Sequence, residues 1–281
     1  MIRAISEWVK LSFRRDHQAR PAGPTFSSGL VLILAIFWWG NSWAQTSTHP
    51  TGENNPAQME QARKWIQNSI TSYGGTERLT AIASLSYSNQ SVGADGKTVK
   101  FQVYFKGMDK FRSEVTGENF FAMTVTNGPT AWLKSESTIV DLVAGDVQAL
   151  KVSSQIQSQP YAVYDLLTKF WAKAGVSAGN TDIHLIGVSG FLDKNYTRGE
   201  ITLDAKTALM RRFQYEEEVD TPQGQGIRKV DLTYEDYKTF SGIQLPTRVT
   251  AVQGGVKSVI TFSDFRVNPE LPDSFFEKPK P

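Results

Sequence analysis

The chain has 281 residues, of which 40% are hydrophobic and 11% aromatic, enough for one sizeable globular domain or two small ones. It contains no cysteine, which excludes a disulfide framework, thiolate metal sites and a thiol nucleophile. The first 44 residues hold five of the 30 basic and two of the 28 acidic residues, so the rest of the chain has a net charge of −1. A nucleic-acid partner is therefore not supported.

The N-terminal residues have the pattern of an export signal. A basic lead precedes an apolar core at 29–40, and the small residues Ser42 and Ala44 predict cleavage before Gln45. The core is too short for a comfortable membrane span, and an uncleaved signal anchor is the alternative. We therefore expect a periplasmic protein. Its predicted segments are a signal peptide (1–44), a flexible linker (45–55) and a single domain (56–281).

An amphipathic helix is predicted to begin at Pro56, a position that suits proline. Gly74 and Gly75 end it, and Thr76 can cap a second short helix. The apolar stripe of the first helix, with Trp65 beside it, consists of Met59, Ala62, Ile66, Ile70 and Tyr73.

From Ser84 onward the apolar period changes from helical to two, which indicates strands. Because short turns join most of them, the strands must run antiparallel in one meandering sheet. Two segments, 144–154 and 160–174, look helical instead, and the second carries Tyr164, Leu167 and Trp171 at helical spacing. The predicted strands are 85–93, 99–105, 111–116, 121–126, 131–134, 183–191, 196–203, 209–219, 227–237, 243–252 and 256–267.

Catalytic motifs are absent from the sequence. His17 lies in the leader and His49 in the linker, which leaves only His184 in the folded part. No HExxH, GxSxG or Walker-type loop occurs. The run Glu216-Glu217-Glu218 is predicted to be a solvated strand, since Glu217 points opposite to its neighbours. We expect no enzymatic activity, no metal and no cofactor.

The order of several stretches resembles the outer-membrane lipoprotein carrier (LolA-like) family and its periplasmic lipoprotein-sorting relatives. These stretches are SYGGTERLTAIASLSYS, GKTVKFQVYFKGMDKFRSEV, GEITLDAKTALMRRFQYE and the run from VDLTYED to SFFEKP. The resemblance implies an α+β fold, an incomplete, strongly curved antiparallel barrel (half-barrel) with helices packed on its concave side as a lid. It also implies an apolar cavity that holds a lipid or a lipoprotein acyl chain.

One departure from the family concerns the lid. The lipoprotein carriers have an arginine-proline pair at the end of an early strand, where the arginine helps to control the lid. The matching stretch here, 105–109, reads FKGMD and has no such pair. We therefore expect this chain to share the family's lipid-binding architecture more closely than its transfer of lipoproteins to a partner. The alternative function is a sensor or scaffold module that binds an inner- or outer-membrane protein partner.

Ten apolar residues are candidates to line the cavity, although each could equally be ordinary core. They are Trp65, Ile66, Phe101, Val103, Phe105, Met123, Val125, Tyr164, Leu167 and Trp171. The C-terminal pair Phe275-Phe276 is predicted to dock the tail against the barrel edge or the apolar interior.

Overall fold

A computed structural model describes residues 55–92, 96–118, 120–135, 138–167, 169–173, 182–188, 198–221 and 224–279. The predicted signal peptide and nearly all of the predicted linker lie outside these residues. Within the described residues, no helix has the length and apolar character needed to cross a membrane.

The first helix, α1, spans Pro56–Tyr73 and has the predicted ends. The side chain of Asn55 caps it by accepting a hydrogen bond from the amide of Ala57. Gly74 ends it with a φ of 133°, and a Cβ at this position would lie 2.6 Å from the carbonyl oxygen of Gly242. Only glycine fits both requirements. A short helix, α2, follows at Thr76–Thr80.

All strands of the described residues form a single antiparallel sheet in the order β6-β5-β4-β3-β2-β1-β13-β12-β11-β10-β9-β8-β7. Every strand except β1 and β13 therefore pairs only with strands adjacent in the chain. The bounds are β1 Ser84–Val92, β2 Thr98–Lys106, β3 Lys110–Gly117, β4 Phe120–Asn127, β5 Thr130–Ser135, β6 Thr138–Asp141, β7 Lys169–Ala172, β8 Asp182–Val188, β9 Arg198–Asp204, β10 Met210–Thr221, β11 Gly224–Phe240, β12 Ile243–Gln253 and β13 Val256–Val267.

The first and last strands in chain order, β1 and β13, pair with each other in the middle of the sheet, and we call this pairing the seam. Asn268, which follows β13, adopts a φ of 56°, a conformation that asparagine tolerates better than most residues. Its Oδ1 accepts hydrogen bonds from the amides of Ala83 (2.7 Å) and Ser84 (3.2 Å). The Asn-Pro pair that ends β13 therefore also fixes the start of β1.

The sheet is an incomplete barrel, because β6 and β7 lie at its two ends and do not pair with each other. The chain between them forms α3 (Ala144–Ser158), a 3₁₀ turn (Pro160–Ala162) and α4 (Val163–Leu166). This helical connection thus leads from one edge of the sheet to the other. Together with α1 it packs on the inner face, so the predicted half-barrel with helices is confirmed.

One sequence expectation in the middle of the chain is wrong, and one short strand was not predicted. The segment 160–174 is not one helix, because helical structure stops at Leu166 and β7 follows. β7 pairs with β8 in the register Trp171↔Ile186, so tertiary pairing outweighs the local helical spacing. The edge strand β6 was not predicted; its four residues are too few to show an alternating pattern.

Candidate functional site

The inner face of the sheet and the helices share one apolar cluster, here called the interior. Seven of the ten predicted lining residues lie together there. Val103, Phe105, Tyr164 and Leu167 are buried members, and the partly buried Trp65, Ile66 and Phe101 pack against them.

The other three predicted residues lie elsewhere. Met123 and Val125 belong to a second cluster, on the outer face of β4, with Trp132 and Phe276. Trp171 is 4% exposed, but its strand neighbour Ala172 belongs to the interior. Since side chains alternate along a strand, Trp171 points to the outer face. The structure therefore does not bring these three together with the other seven.

The inner wall of β3, β4 and β5 consists largely of small side chains. Cross-strand register aligns Ser113 with Thr124, and Phe111 with Thr126. Ser113 and Thr126 are buried. Helix α3 contacts β4 and β5 on this face. Small side chains there let the helix backbone approach closely, which explains why the larger residues of β4 face outward.

Sheet hydroxyl groups hold the C-terminal half of α3. Tyr87 donates a hydrogen bond to the carbonyl of Ser154 at 3.2 Å, and Tyr234 donates one to the carbonyl of Ile156 at 2.9 Å. The last four carbonyls of a helix have no partner within the helix. Tyr234 therefore satisfies a carbonyl that burial would otherwise leave unpaired.

Lys151 fixes the middle of α3 to the sheet at the turn between β2 and β3. The side chain is 6% exposed, and its Nζ donates a hydrogen bond to the carbonyl of Met108, in the turn between β2 and β3. Burial lowers the pKa of Lys151, while the nearby carboxylate of Asp109 partly opposes that shift. This buried cation is a functional candidate that the sequence reasoning missed. Its only sequence signal is a lone lysine in a helix otherwise rich in Ser, Gln and Val.

A group of tyrosines joins α1 to the far side of the sheet. The hydroxyls of Tyr73 and Tyr237 lie 3.1 Å apart, Tyr237 donates to the carbonyl of Met210, and the amide of Met210 donates to Tyr73. Tyr164 donates to Ser69 at 2.7 Å. Burial raises the pKa of Tyr73, Tyr164 and Tyr237 well above its usual value. The hydroxyls therefore remain neutral, and the interior on this side carries no phenolate charge near pH 7.

His184 and Glu216 each have a polar partner on a neighbouring strand. His184 Nδ1 lies 3.3 Å from the Thr202 hydroxyl. Glu216 pairs with Lys229 across strands at 3.6 Å. Among the described residues, no group of three or more His, Cys, Asp and Glu side chains is arranged to hold a metal ion.

The C-terminal residues pack on the outer face of the sheet, not at its edge or in the interior. Phe276 is fully buried against Val125 and Trp132, and the Phe275 ring lies 4.8 Å from the Tyr104 ring. Arg112 lies over the Phe275 ring at 3.9 Å and donates to its carbonyl oxygen at 2.7 Å. The predicted docking of the two phenylalanines therefore occurs, but at a different place.

Ion pairs at both ends hold this C-terminal segment, residues 271–279. Asp273 pairs with Lys106 at 2.6 Å and Lys110 at 2.8 Å, and hydrogen bonds from both lysines hold the pKa of Asp273 at about 2. Lys278 pairs with Asp141 at 2.7 Å. The segment is thus fixed to strands β2, β3 and β6.

An incomplete antiparallel barrel whose helices cover its inner face defines a LolA-like fold. Two crystal structures share it: a DUF1329 family protein from Desulfovibrio piger ATCC 29098 (TM-score 0.51, 16% identity) and a LolA superfamily protein from Nitrosomonas europaea (TM-score 0.50, 14% identity). Each comparison covers 77% of this chain and 97% of the other chain. Identities this low show the fold alone. No family model and no curated protein matches the sequence.

Proposed function

We propose that this protein is a non-catalytic periplasmic carrier or binding protein for a lipid or a lipoprotein acyl chain, held between the half-barrel and its helices. The observation that carries this proposal is the single apolar cluster formed by the inner face, α1 and the helical connection. An acyl chain would gain about 0.8 kcal/mol for each methylene group that it buries there.

The helix α3 is the element that a ligand would displace. Its buried residues Val147, Val152 and Ile156 belong to the interior cluster. On the wall formed by β3 to β5 it meets small side chains and is fixed by the Lys151 hydrogen bond. An acyl chain could take over these apolar contacts with the sheet when α3 moves away, at the cost of the few hydrogen bonds that hold the helix.

The first experiment is native mass spectrometry of the protein purified from a periplasmic preparation, with organic extraction of co-purifying molecules. We expect a stoichiometric lipid adduct. A clean apo mass, together with no uptake of a fluorescent fatty acid, contradicts the proposal. That result would favour the second candidate, an envelope sensor or scaffold module that binds a membrane-protein partner. The observation behind this second candidate is that α3 side chains already fill part of the interior.

A matched pair of variants tests the site itself. Phe101→Asp places a charge among the inner-face residues, whereas Gln102→Asp places the same charge one residue later, on the exposed outer face. We expect Phe101→Asp to abolish fatty-acid uptake and Gln102→Asp to leave it unchanged, with circular dichroism confirming that both variants fold. Equal uptake by two folded variants would remove the β2 inner face from the site.

A further inference from the structure

A cavity lies on the outer face of the sheet, on the opposite side from the interior. It has a volume of about 350 Å³ and opens between strands β3 to β5 and the C-terminal segment. We call it the tail pocket. Its lining residues are Arg112, Met123, Trp132, Lys134, Ser274, Glu277, Lys278 and Pro279.

Trp132 lines the tail pocket and carries a buried hydrogen-bond donor without a partner. The residue is 2% exposed, and its indole Nε1 has no hydrogen-bond partner. An indole N–H can only donate, and a buried donor without a partner costs about 1–3 kcal/mol. A ligand with an acceptor oxygen would remove this cost.

Some of the basic side chains around the tail pocket already have ion-pair partners. Arg112 pairs with Glu114 and with the Phe275 carbonyl, and Lys278 pairs with Asp141. Lys134, by contrast, forms no ion pair with a described residue. It lies two positions after Trp132 on β5, so both side chains point to the same face.

We propose that the tail pocket binds a small organic molecule through a carboxylate or phosphate group. An oxygen of that group accepts hydrogen bonds from Trp132 Nε1 and Lys134 Nζ, and the apolar part of the ligand contacts Met123 and Pro279. The volume lies at the lower end of the range for small-molecule sites, about 300–1,000 Å³. Glu277 also lines the pocket, and its carboxylate favours a singly charged ligand over a multiply charged one.

Half of the lining belongs to the C-terminal segment, which supplies Ser274, Glu277, Lys278 and Pro279. A bound ligand therefore contacts both the sheet and the segment, and it stabilises the docked form of the segment by mass action. Occupancy of the tail pocket is thereby linked to the position of the chain's C-terminus. The interior takes no part in this site.

The test uses NMR to follow the indole N–H resonances of the ¹⁵N-labelled full chain. The resonance that disappears in Trp132→Phe identifies the Trp132 signal. Benzoate and phenyl phosphate are the soluble probes, and dihexanoyl phosphatidic acid below its micelle concentration represents a lipid headgroup. We expect a saturable shift of the Trp132 signal with at least one probe. Saturation by a soluble probe alone assigns the site to free metabolites, and saturation by the lipid assigns it to a headgroup.

Two lysine variants control for non-specific charge effects. Lys134→Met should weaken probe binding about tenfold, because a charge-assisted hydrogen bond is lost. Lys257→Met, at an exposed position on β13, should leave it unchanged. The proposal is overturned if no probe shifts the Trp132 signal, or if the two variants bind the probe equally. Phe101→Asp, which tests the interior, should not alter probe binding, so the two sites can fail independently.

Discussion

Truncating Phe276 to alanine tests whether the C-terminal segment stabilises the domain. The Phe276 side chain is fully buried between Val125 and Trp132, and the sheet cannot close over the space that it would leave. A buried phenylalanine replaced by alanine costs about 3–5 kcal/mol, from lost transfer free energy and from the residual cavity. For a domain whose stability is about 5–15 kcal/mol, this is a large fraction.

Urea denaturation followed by circular dichroism measures the loss. With a slope of about 3 kcal/mol/M, typical of the upper end for small proteins, Phe276→Ala should lower the urea midpoint by at least about 1 M. The control is Met108→Ala, since Met108 is 93% exposed and leaves no cavity. The reasoning is refuted if both variants unfold at the wild-type midpoint with an unchanged slope. Removing the chain after Pro269 should cost more than Phe276→Ala, because Leu271 and Phe275 are then lost as well.

Three further predictions concern the charges and hydroxyls that hold the segment and the helix. Asp273→Asn should lower the urea midpoint at pH 6 but leave it nearly unchanged at about pH 2. The pKa of Asp273 is about 2 in the folded state and about 4 in the unfolded state, so the stabilisation from this carboxylate is lost as pH falls from about 4 to about 2. Tyr234→Phe leaves the Ile156 carbonyl unpaired, which should cost about 1–3 kcal/mol and speed amide hydrogen exchange in α3; unchanged exchange would contradict this role. Relative to Lys151→Met, the wild type should gain stability as pH rises from 7 toward 10. Burial lowers the pKa of Lys151, so in this range the folded state binds fewer protons than the unfolded state. A stability difference between the two proteins that does not change with pH would contradict that assignment.

Most of the sheet could be predicted from the sequence because its strands alternate and its turns are short. The predicted segment 256–267 matches β13 residue for residue, and Pro56 and Gly74 mark the ends of α1 as expected. Here the local signals, apolar period and turn residues, agree with the final fold.

The sequence was less informative where a second layer of structure decides which partner each face of a strand meets. Met123 and Val125 alternate with small residues, and both were candidates to line the cavity on the inner face. The sheet instead turns its small residues toward α3, while Val125 faces the C-terminal segment. Alternation shows that two faces differ, but it does not show which of them meets which partner. Trp171 lies apart from the other candidates for a related reason: it was expected in a helix and lies in a strand, and the two distribute the same residues over different faces.

The seam between β1 and β13 has a consequence for the order of folding. The strands on each side of it pair with sequence neighbours, so both halves of the sheet can form from local contacts, which are fast. The seam joins residues about 180 positions apart, such as Leu85 and Val267, so its formation carries a large loop-closure entropy cost. It cannot form until the last strand has been synthesised and, for an exported chain, has crossed the membrane. Until then β1 presents an unpaired edge, and such an edge can pair with strands of other chains.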